Sequence, residues 1–386
     1  MNTRLSSGES GTIAMMRDSV RRFAQAELAP RVEEHDRDDR FHRYLWPKLG
    51  EMGLMGIMVP ESEGGLGLGY PEHVVVLEEL ARICAAAAMS YGVHSSLVID
   101  QLMRHASSDQ RRRLLPGLLS GELVAAIAMT EAEAGSDLVG MRTRAHREGD
   151  RWLVNGSKLW ITNAAEADVV LVYAKTDPAA GKRGITAFLA EKSQGGLHVN
   201  RKLDLWGMRG SGSAELVFED CEVPPENVLG GVNEGVRVLM SGLDYERVIA
   251  AAQCVGIMQA ALDLTLPYVR ERRQFGQPIG EFQLMQGKIA DMYTQTSAAR
   301  AYVQLAAAAA QNGSLTRHDA AAAYLFAAEI ATQVALQAMQ ALGANGYSNE
   351  NSAQRLVRDA KLFEIGGGTA EVRRMLIGRE LFTKGE

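Results

Sequence analysis

The sequence predicts a multidomain α+β chain with helices first, a β-rich centre, and helices again to the end. Three observations carry this reading. At 386 residues the chain exceeds what one hydrophobic core usually serves. Apolar residues recur at helical spacing over residues 10–120 and again after Asn233, whereas the stretch between them holds short alternating runs. Glycine and proline punctuate both changes, at Gly121, Pro224-Pro225 and Gly230–Gly235. The expected domains are therefore 1–121, 122–232 and 233–386.

Composition narrows the class. Hydrophobic residues make up 46% and charged residues 23%, as in globular proteins. A formal charge of −6 without basic runs argues against a nucleic-acid partner. No apolar run reads as long enough to cross a bilayer, and residues 1–12 lack the apolar core of a signal peptide, so no membrane association is expected. Cys84, Cys221 and Cys254 form no CxxC pair and the eight histidines are scattered, which predicts no metal site. A reduced, cytoplasmic location follows as the expectation.

In the first region Ile13, Met16, Val20 and Phe23 mark one face of a helix, with Pro30 just beyond its end. Helices over Trp46–Leu54 and His73–Met89 follow, joined by the glycine-rich stretch 61–70. That stretch lacks GxGxxG order and a βαβ setting, so it reads as a connector and not a phosphate cradle. In the centre, residues 151–162 read as two strands around an Asn155-Gly156 turn, with further strands at Asp168–Thr176, Gly184–Glu191 and Ala214–Glu219. This density suggests an antiparallel barrel or sandwich. The last region reads as a helical bundle with segments near 235–273, 282–311, 317–343, 352–364 and 369–382. Pro267 should kink the first. Asn312-Gly313 and the 343–346 stretch should end the next two.

Five stretches bear on chemistry. In SGLDYERVIAAA (241–252) one carboxylate, Glu246, sits among small apolar residues; alone, a solvated surface Glu is the commoner explanation. IAMTEAEAGSD (127–137) joins a β-like run to a small-residue turn whose N–H groups, with Thr130 and Ser136, suit a polar cofactor edge and an anion. Trp160 to Asn163 adds an aromatic plane and the Thr162 hydroxyl, although a Trp is more often plain core. RRQFGQ (272–277) places cations and an aromatic at a helix end, either as a pyrophosphate clamp or as a solvated cap. In KLFEIGGGTAEVRR (361–374), three glycines meet a helix start that Thr369 can cap, with Glu371 in the following turn.

Taken together, TEAEAGSD, WITN, GMRGS (207–211), LDYER, RRQFGQPIGEFQLMQGKIADM, QALGANGY and IGGGTAEVRRMLIGRELF resemble the acyl-CoA dehydrogenase family over essentially the whole chain. The likeness is strongest to its isovaleryl-type branch. The resemblance implies a helical domain, a β-barrel and a four-helix-bundle domain, assembled as a homotetramer that binds FAD. Ile127, Met129, Thr130, Gly135, Ser136, Trp160, Ile161 and Thr162 would then line the flavin and pyrophosphate. Arg272, Phe275, Gln283, Gln340, Gly343 and Ala344 would reach the FAD of a neighbouring subunit, and Thr369 and Glu371 would close the site. Ser136, Lys182, Arg183, Asp244, Tyr245 and Arg247 would face acyl-CoA, with Met89, Gly366, Gly367 and Gly368 around the acyl group. The chain departs from the family pattern at Ala132 and Glu133, where Pro and then Gly or Asn are usual, and at Ala344, where a glycine is usual.

The family's usual base lies in a Tyr-Glu-Gly-Thr run, which here is Gly366-Gly367-Gly368-Thr369. The isovaleryl-type members carry it in LDxER instead, which assigns Glu246. The implied reaction is α,β-dehydrogenation of a short or 3-methyl-branched acyl-CoA, with the Gly367 N–H serving the thioester oxygen. Electrons would pass to an electron-transfer flavoprotein, in leucine or fatty-acid catabolism. A longer branched substrate such as citronellyl-CoA, an acyl-CoA oxidase, and a flavin-binding homologue without catalysis are the alternatives.

Overall fold

The structure, a computed structural model, describes residues 11–383. Residues 1–10, which carry most of the signal-peptide expectation, and residues 384–386 lie outside the described residues.

The N-terminal region begins with α1 (Gly11–Phe23), extended by a π turn over Ala24–Leu28, then α2 (Val32–Asp38) and α3 (Leu45–Glu51). Of the expected α1 face, Val20 is fully buried, with Met16 and Phe23 packed on the same core. The 61–70 stretch is a connector that ends at Gly69, whose N–H donates to Glu72 as the next helix starts. The single helix expected over His73–Met89 is two, α4 (Tyr70–Ala81) and α5 (Ala85–Gly92), because Cys84 is extended. Neither Gly nor Pro marks that break, so periodicity runs through it. From α5 the chain passes through a π-helical segment, Val93–Ile99, into α6 (Asp100–His105), and then α7 (Ser108–Ser120).

The central strands are β1 (Ala125–Ala128), β2 (Arg144–Glu148), β3 (Arg151–Ile161), β4 (Val169–Lys175), β5 (Ile185–Glu191), β6 (Leu197–Lys202), β7 (Ala214–Val223) and β8 (Val228–Leu229). They run in the order β6-β7-β3-β2-β4-β5-β8, with β1 beside β4. The sheet curls until β5 meets β7, around an interior of Val154, Val172, Phe188, Leu216 and Phe218.

Two expectations about this domain are corrected. Residues 151–161 form one strand, not two. Asn155 sits at a register shift within β3, where it exchanges hydrogen bonds with Asp220 instead of turning the chain. The hairpin turn lies earlier, at Gly149-Asp150, between the paired residues Glu148 and Arg151. Gly149 has φ +64°, the left-handed first position of a two-residue II′ turn. Nor is the sheet wholly antiparallel, since β1 pairs in parallel with β4 over four residues. The β2–β3 hairpin and its loops supply the long crossover that a parallel pair requires.

The C-terminal region holds α8 (Gly235–Glu271), a small hairpin of β9 (Arg273–Gln274) and β10 (Gln277–Pro278), α9 (Gln283–Gln311), α10 (Arg317–Leu342), α11 (Ala344–Tyr347), α12 (Ala353–Ile365) and α13 (Ala370–Thr383). The five expected helical segments are all present, and α8 runs on past Pro267 to Glu271. One expectation about hydropathy fails: α8 is long and apolar enough to cross a membrane. Its most apolar 18-residue window is, however, 83% buried inside the protein, as befits a core helix. α8 packs on α10 and α4, so the two helical regions share one core. At Gly256 the α8 and α4 backbones nearly touch, and a Cβ there would lie 2.4 Å from the Glu78 carbonyl oxygen. Gly256→Ala would force these helices apart.

Candidate active site

Glu246 lies in the fourth turn of α8, between the buried Tyr245 and Arg247. It is half-buried and makes no hydrogen bond or ion pair among the described residues. Its environment is that of Tyr173 on β4 and Tyr324 on α10, both buried phenols coupled electrostatically to it. Burial pushes the Glu246 carboxyl up to about 7, against the pull of the Arg247 guanidinium. Arg247 is itself engaged by Asp244 at 2.5 Å, which leaves Glu246 unneutralised. A carboxylate in that state is a competent proton acceptor near neutral pH.

Opposite it stands the glycine loop between α12 and α13. Gly366 ends α12, donating its N–H to the Leu362 carbonyl at 2.7 Å. Gly367 has φ +63°, a conformation that a residue with a Cβ adopts only under strain. A Cβ on Gly367 would lie 3.7 Å from Glu246 Oε1 and 3.1 Å from the Tyr324 ring. The Gly367 N–H has no acceptor among the described residues. An unneutralised carboxylate and a free amide donor thus meet at one place, as removing a proton beside a thioester carbonyl requires. Thr369 caps α13 as expected, its hydroxyl accepting from the Val372 N–H at 3.3 Å. Glu371 is exposed, and its own backbone N–H holds its carboxyl below the usual range.

The β-domain supplies the other wall. Ile127, at the end of β1, belongs to the apolar cluster that Met89, Met129 and Leu243 also join. This brings three sequence-predicted residues, Met89 from α5 and Ile127 and Met129 from the β1 segment, to one side of α8. Thr130 Oγ1 donates to the Leu159 carbonyl, so this hydroxyl is already committed to the fold. Gly135 and Ser136 are exposed, and the hydroxyls of Ser136 and Thr162 have no partner among the described residues. Trp160 is 58% exposed and adopts φ +66°, a left-handed conformation rare for an aromatic residue, at an irregularity in β3. Such an exposed, strained indole, two residues before the Thr162 hydroxyl, fits a bound flavin. Holding FAD would fall to Trp160, Thr162 and the 129–136 turn.

Several expected contacts are placed elsewhere. Tyr245 is 4% exposed, packed on Tyr70 and hydrogen-bonded to His73, so it is part of the core and not of a substrate surface. The Ile161 side chain fills the sheet interior and can offer a ligand only its backbone. Lys182 and Arg183 are exposed on the β4–β5 loop. Arg272, Phe275, Gln283, Gln340, Gly343 and Ala344 are exposed as well, with Phe275 at 95%. Gln340 stands 16 residues beyond Tyr324 on α10, about 24 Å away at helical rise. Arg272 is farther still from Glu246 at the end of α8. Neither reaches the site of its own chain.

Two arrangements escaped the sequence reading. Lys158, fully buried in β3, donates to the Met129 carbonyl and to Glu131, both at 2.9 Å, beneath the turn that would hold FAD. A lysine inside an apolar strand was the available signal. Tyr324 was the other: it is the one hydroxyl-bearing residue in Ala320–Ala328 of α10, and a buried phenol needs a partner.

Comparison with known proteins agrees with this geometry. Family models for the N-terminal, middle and C-terminal domains of acyl-CoA dehydrogenase match residues 10–122, 126–221 and 233–382. Mitochondrial isovaleryl-CoA dehydrogenase of Oryza sativa subsp. japonica is 52% identical over 373 residues, covering 96% of this chain and 91% of that protein. A mitochondrial 2-methylacyl-CoA dehydrogenase of Solanum tuberosum is also 52% identical, covering 96% and 90%. The butyryl-CoA dehydrogenase structure from Megasphaera elsdenii superposes with a TM-score of 0.94 at 35% identity, covering 97% of this chain and 99% of that one. The chain belongs to the acyl-CoA dehydrogenase family. It is an FAD-dependent oxidoreductase with that family's helical, β-sheet and helical domains.

Proposed function

We propose that the protein dehydrogenates a short acyl-CoA branched at C3, of the isovaleryl type, to its 2-enoyl-CoA, with Glu246 as the base. The observation that carries this is the placement of unneutralised Glu246 against the bare Gly366–Gly368 loop. Glu246 takes the α-proton, and the Gly367 N–H bonds the thioester oxygen as charge develops there. Bound FAD supplies the two-electron acceptor that takes the β-hydrogen. Gly366 leaves space beside the β-carbon: the nearest atoms to a Cβ there belong to Leu362, at 3.5 Å or more. Met89, half-buried and flexible, forms an adaptable wall nearby.

The likeness to isovaleryl-CoA dehydrogenase supports a role in leucine degradation and transfer of electrons to an electron-transfer flavoprotein. The equal likeness to a 2-methylacyl-CoA dehydrogenase favours a second reading, branching at C2. Exposed Arg272, Phe275, Gln340 and Gly343, out of reach of their own site, support a homotetramer whose sites are shared between chains. Three free, buried cysteines support a reducing compartment, which we take to be the cytoplasm.

The test is anaerobic flavin bleaching with isovaleryl-, 2-methylbutyryl-, butyryl- and citronellyl-CoA. Isovaleryl-CoA should bleach fastest, and Gly366→Tyr should slow it more than butyryl-CoA. One methyl group discriminates by only about 1–3 kcal/mol, so preference and not exclusivity is expected. Equal losses for branched and straight substrates would count against the pocket.

A further inference from the structure

The peptide joining Gly366 to Gly367 carries no Cβ on either side, so it can flip at little steric cost. Something must therefore choose the direction of the Gly367 N–H. We propose that Tyr324 is a positioning residue that aims this donor at the substrate's thioester oxygen.

The Tyr324 hydroxyl donates to the Gly366 carbonyl at 2.9 Å. In a trans peptide the carbonyl and N–H point in opposite directions, so holding the carbonyl toward α10 turns the Gly367 N–H away from it. Tyr324 is only 2% exposed and lies beneath Gly367 at contact distance. Its own place is fixed by Arg373, whose guanidinium sits 3.7 Å above the ring. Arg373 also donates to the carbonyls of Phe363 at 2.6 Å and Thr369 at 3.4 Å, one on each side of the glycine loop. Tyr324 and Arg373 together pin the loop from below and at both ends. Burial pushes the phenol of Tyr324 up, with Arg373 opposing, so the hydroxyl keeps its proton and stays a donor over the working pH range.

This inference rests on the proposed dehydrogenation, and one experiment separates the two. Tyr324→Phe keeps the ring and its stacking under Arg373 and removes the hydroxyl that bonds Gly366. Holoenzyme carrying Glu246→Gln, with and without Tyr324→Phe, is titrated calorimetrically with two probes. Butyryl-CoA presents a neutral thioester carbonyl; acetoacetyl-CoA, as its enolate, presents a charged oxygen. Tyr324→Phe should weaken acetoacetyl-CoA roughly tenfold and butyryl-CoA less than twofold, in line with one lost hydrogen bond to a charge-bearing site. In the otherwise unchanged enzyme, kcat should fall about tenfold with KM held within about twofold. If both probes weaken equally, or neither does, Tyr324 does not aim the donor. If the protein with Tyr324 intact shows no preference for acetoacetyl-CoA, the dehydrogenation reading falls as well.

Discussion

Glu246 on α8 and Glu131 in the turn after β1 are two carboxylates withdrawn from water, and they have opposite fates. Glu131 accepts from Lys158 Nζ and from the backbone N–H groups of Arg142 and Thr143. Although burial pushes its carboxyl up, these donors outweigh it, and the group is held below the usual range. Glu246 accepts nothing, and burial wins, lifting it to about 7. Desolvation by itself makes a base; desolvation with donors makes a strut. The first suits the proton acceptor proposed above, and the second braces the turn at Met129–Ser136.

The sharpest way to break this contrast is to neutralise each partner. Glu246→Gln keeps shape and removes the proton acceptor, so anaerobic bleaching by acyl-CoA should slow by about 10²–10⁴-fold with FAD content unchanged. In the unaltered enzyme kcat/KM should rise with pH through about 7 as Glu246 loses its proton. Bleaching at the original rate would remove Glu246 from the mechanism. Lys158→Met does the opposite kind of damage. It strands the Glu131 charge, a change that costs about 3–5 kcal/mol where one partner of a buried pair is removed. The readouts are a lowered Tm and loss of bound FAD on gel filtration; a variant that keeps both would show that the pair is not a strut.

Which parts of this were legible in the chain follows from how local their causes are. The helices of the last region were readable because their glycine stops, Gly313 and Gly343, act on the nearest turns. Glu246 was readable as a carboxylate out of place, though its role needed the family resemblance. Asn155-Gly156 misled because its turn signal is local while its structural use, a bond to Asp220 across to β7, is not. The parallel pairing of β1 with β4 depends on a long crossover that no short pattern reports. Tyr324 and Lys158 act on carbonyls 42 and 29 residues away, at Gly366 and Met129, and only folding brings those groups together.

A smaller effect tests how closely the two base positions coincide. Glu246→Gly with Gly367→Glu moves the carboxylate to the family's usual segment. The Cβ position of residue 367, 3.7 Å from Glu246 Oε1, puts the new side chain beside the old one. Two features oppose it: φ +63° at Gly367 and the Tyr324 ring at 3.1 Å. Recovery over Glu246→Gly alone should therefore be limited to about tenfold, well short of the full general-base contribution, and greater for butyryl-CoA than for isovaleryl-CoA. Recovery favouring the branched substrate would mean that the glycine loop does not border the branch.

The smallest effect is on stability, and its sign differs between the two carboxylates. Glu246 titrates near 7 in the folded chain and near 4.5 when exposed, so the folded state holds its proton more tightly. That contribution is complete below about pH 4.5 and is lost as pH rises through 7. Glu246→Gln never ionises, so its Tm should exceed that of the unaltered protein by a margin that widens from pH 5 to pH 8. Glu131 is shifted downward, so its contribution is present above its ordinary range and fades as pH falls through its folded value. Glu131→Gln should accordingly lower the Tm at pH 8, with the deficit narrowing toward acid. Thermal melts of both variants from pH 5 to pH 8 read the two slopes directly. If Glu246→Gln gains nothing on going from pH 5 to pH 8, its carboxylate is not desolvated in the folded protein, and the contrast with Glu131 fails at its physical root.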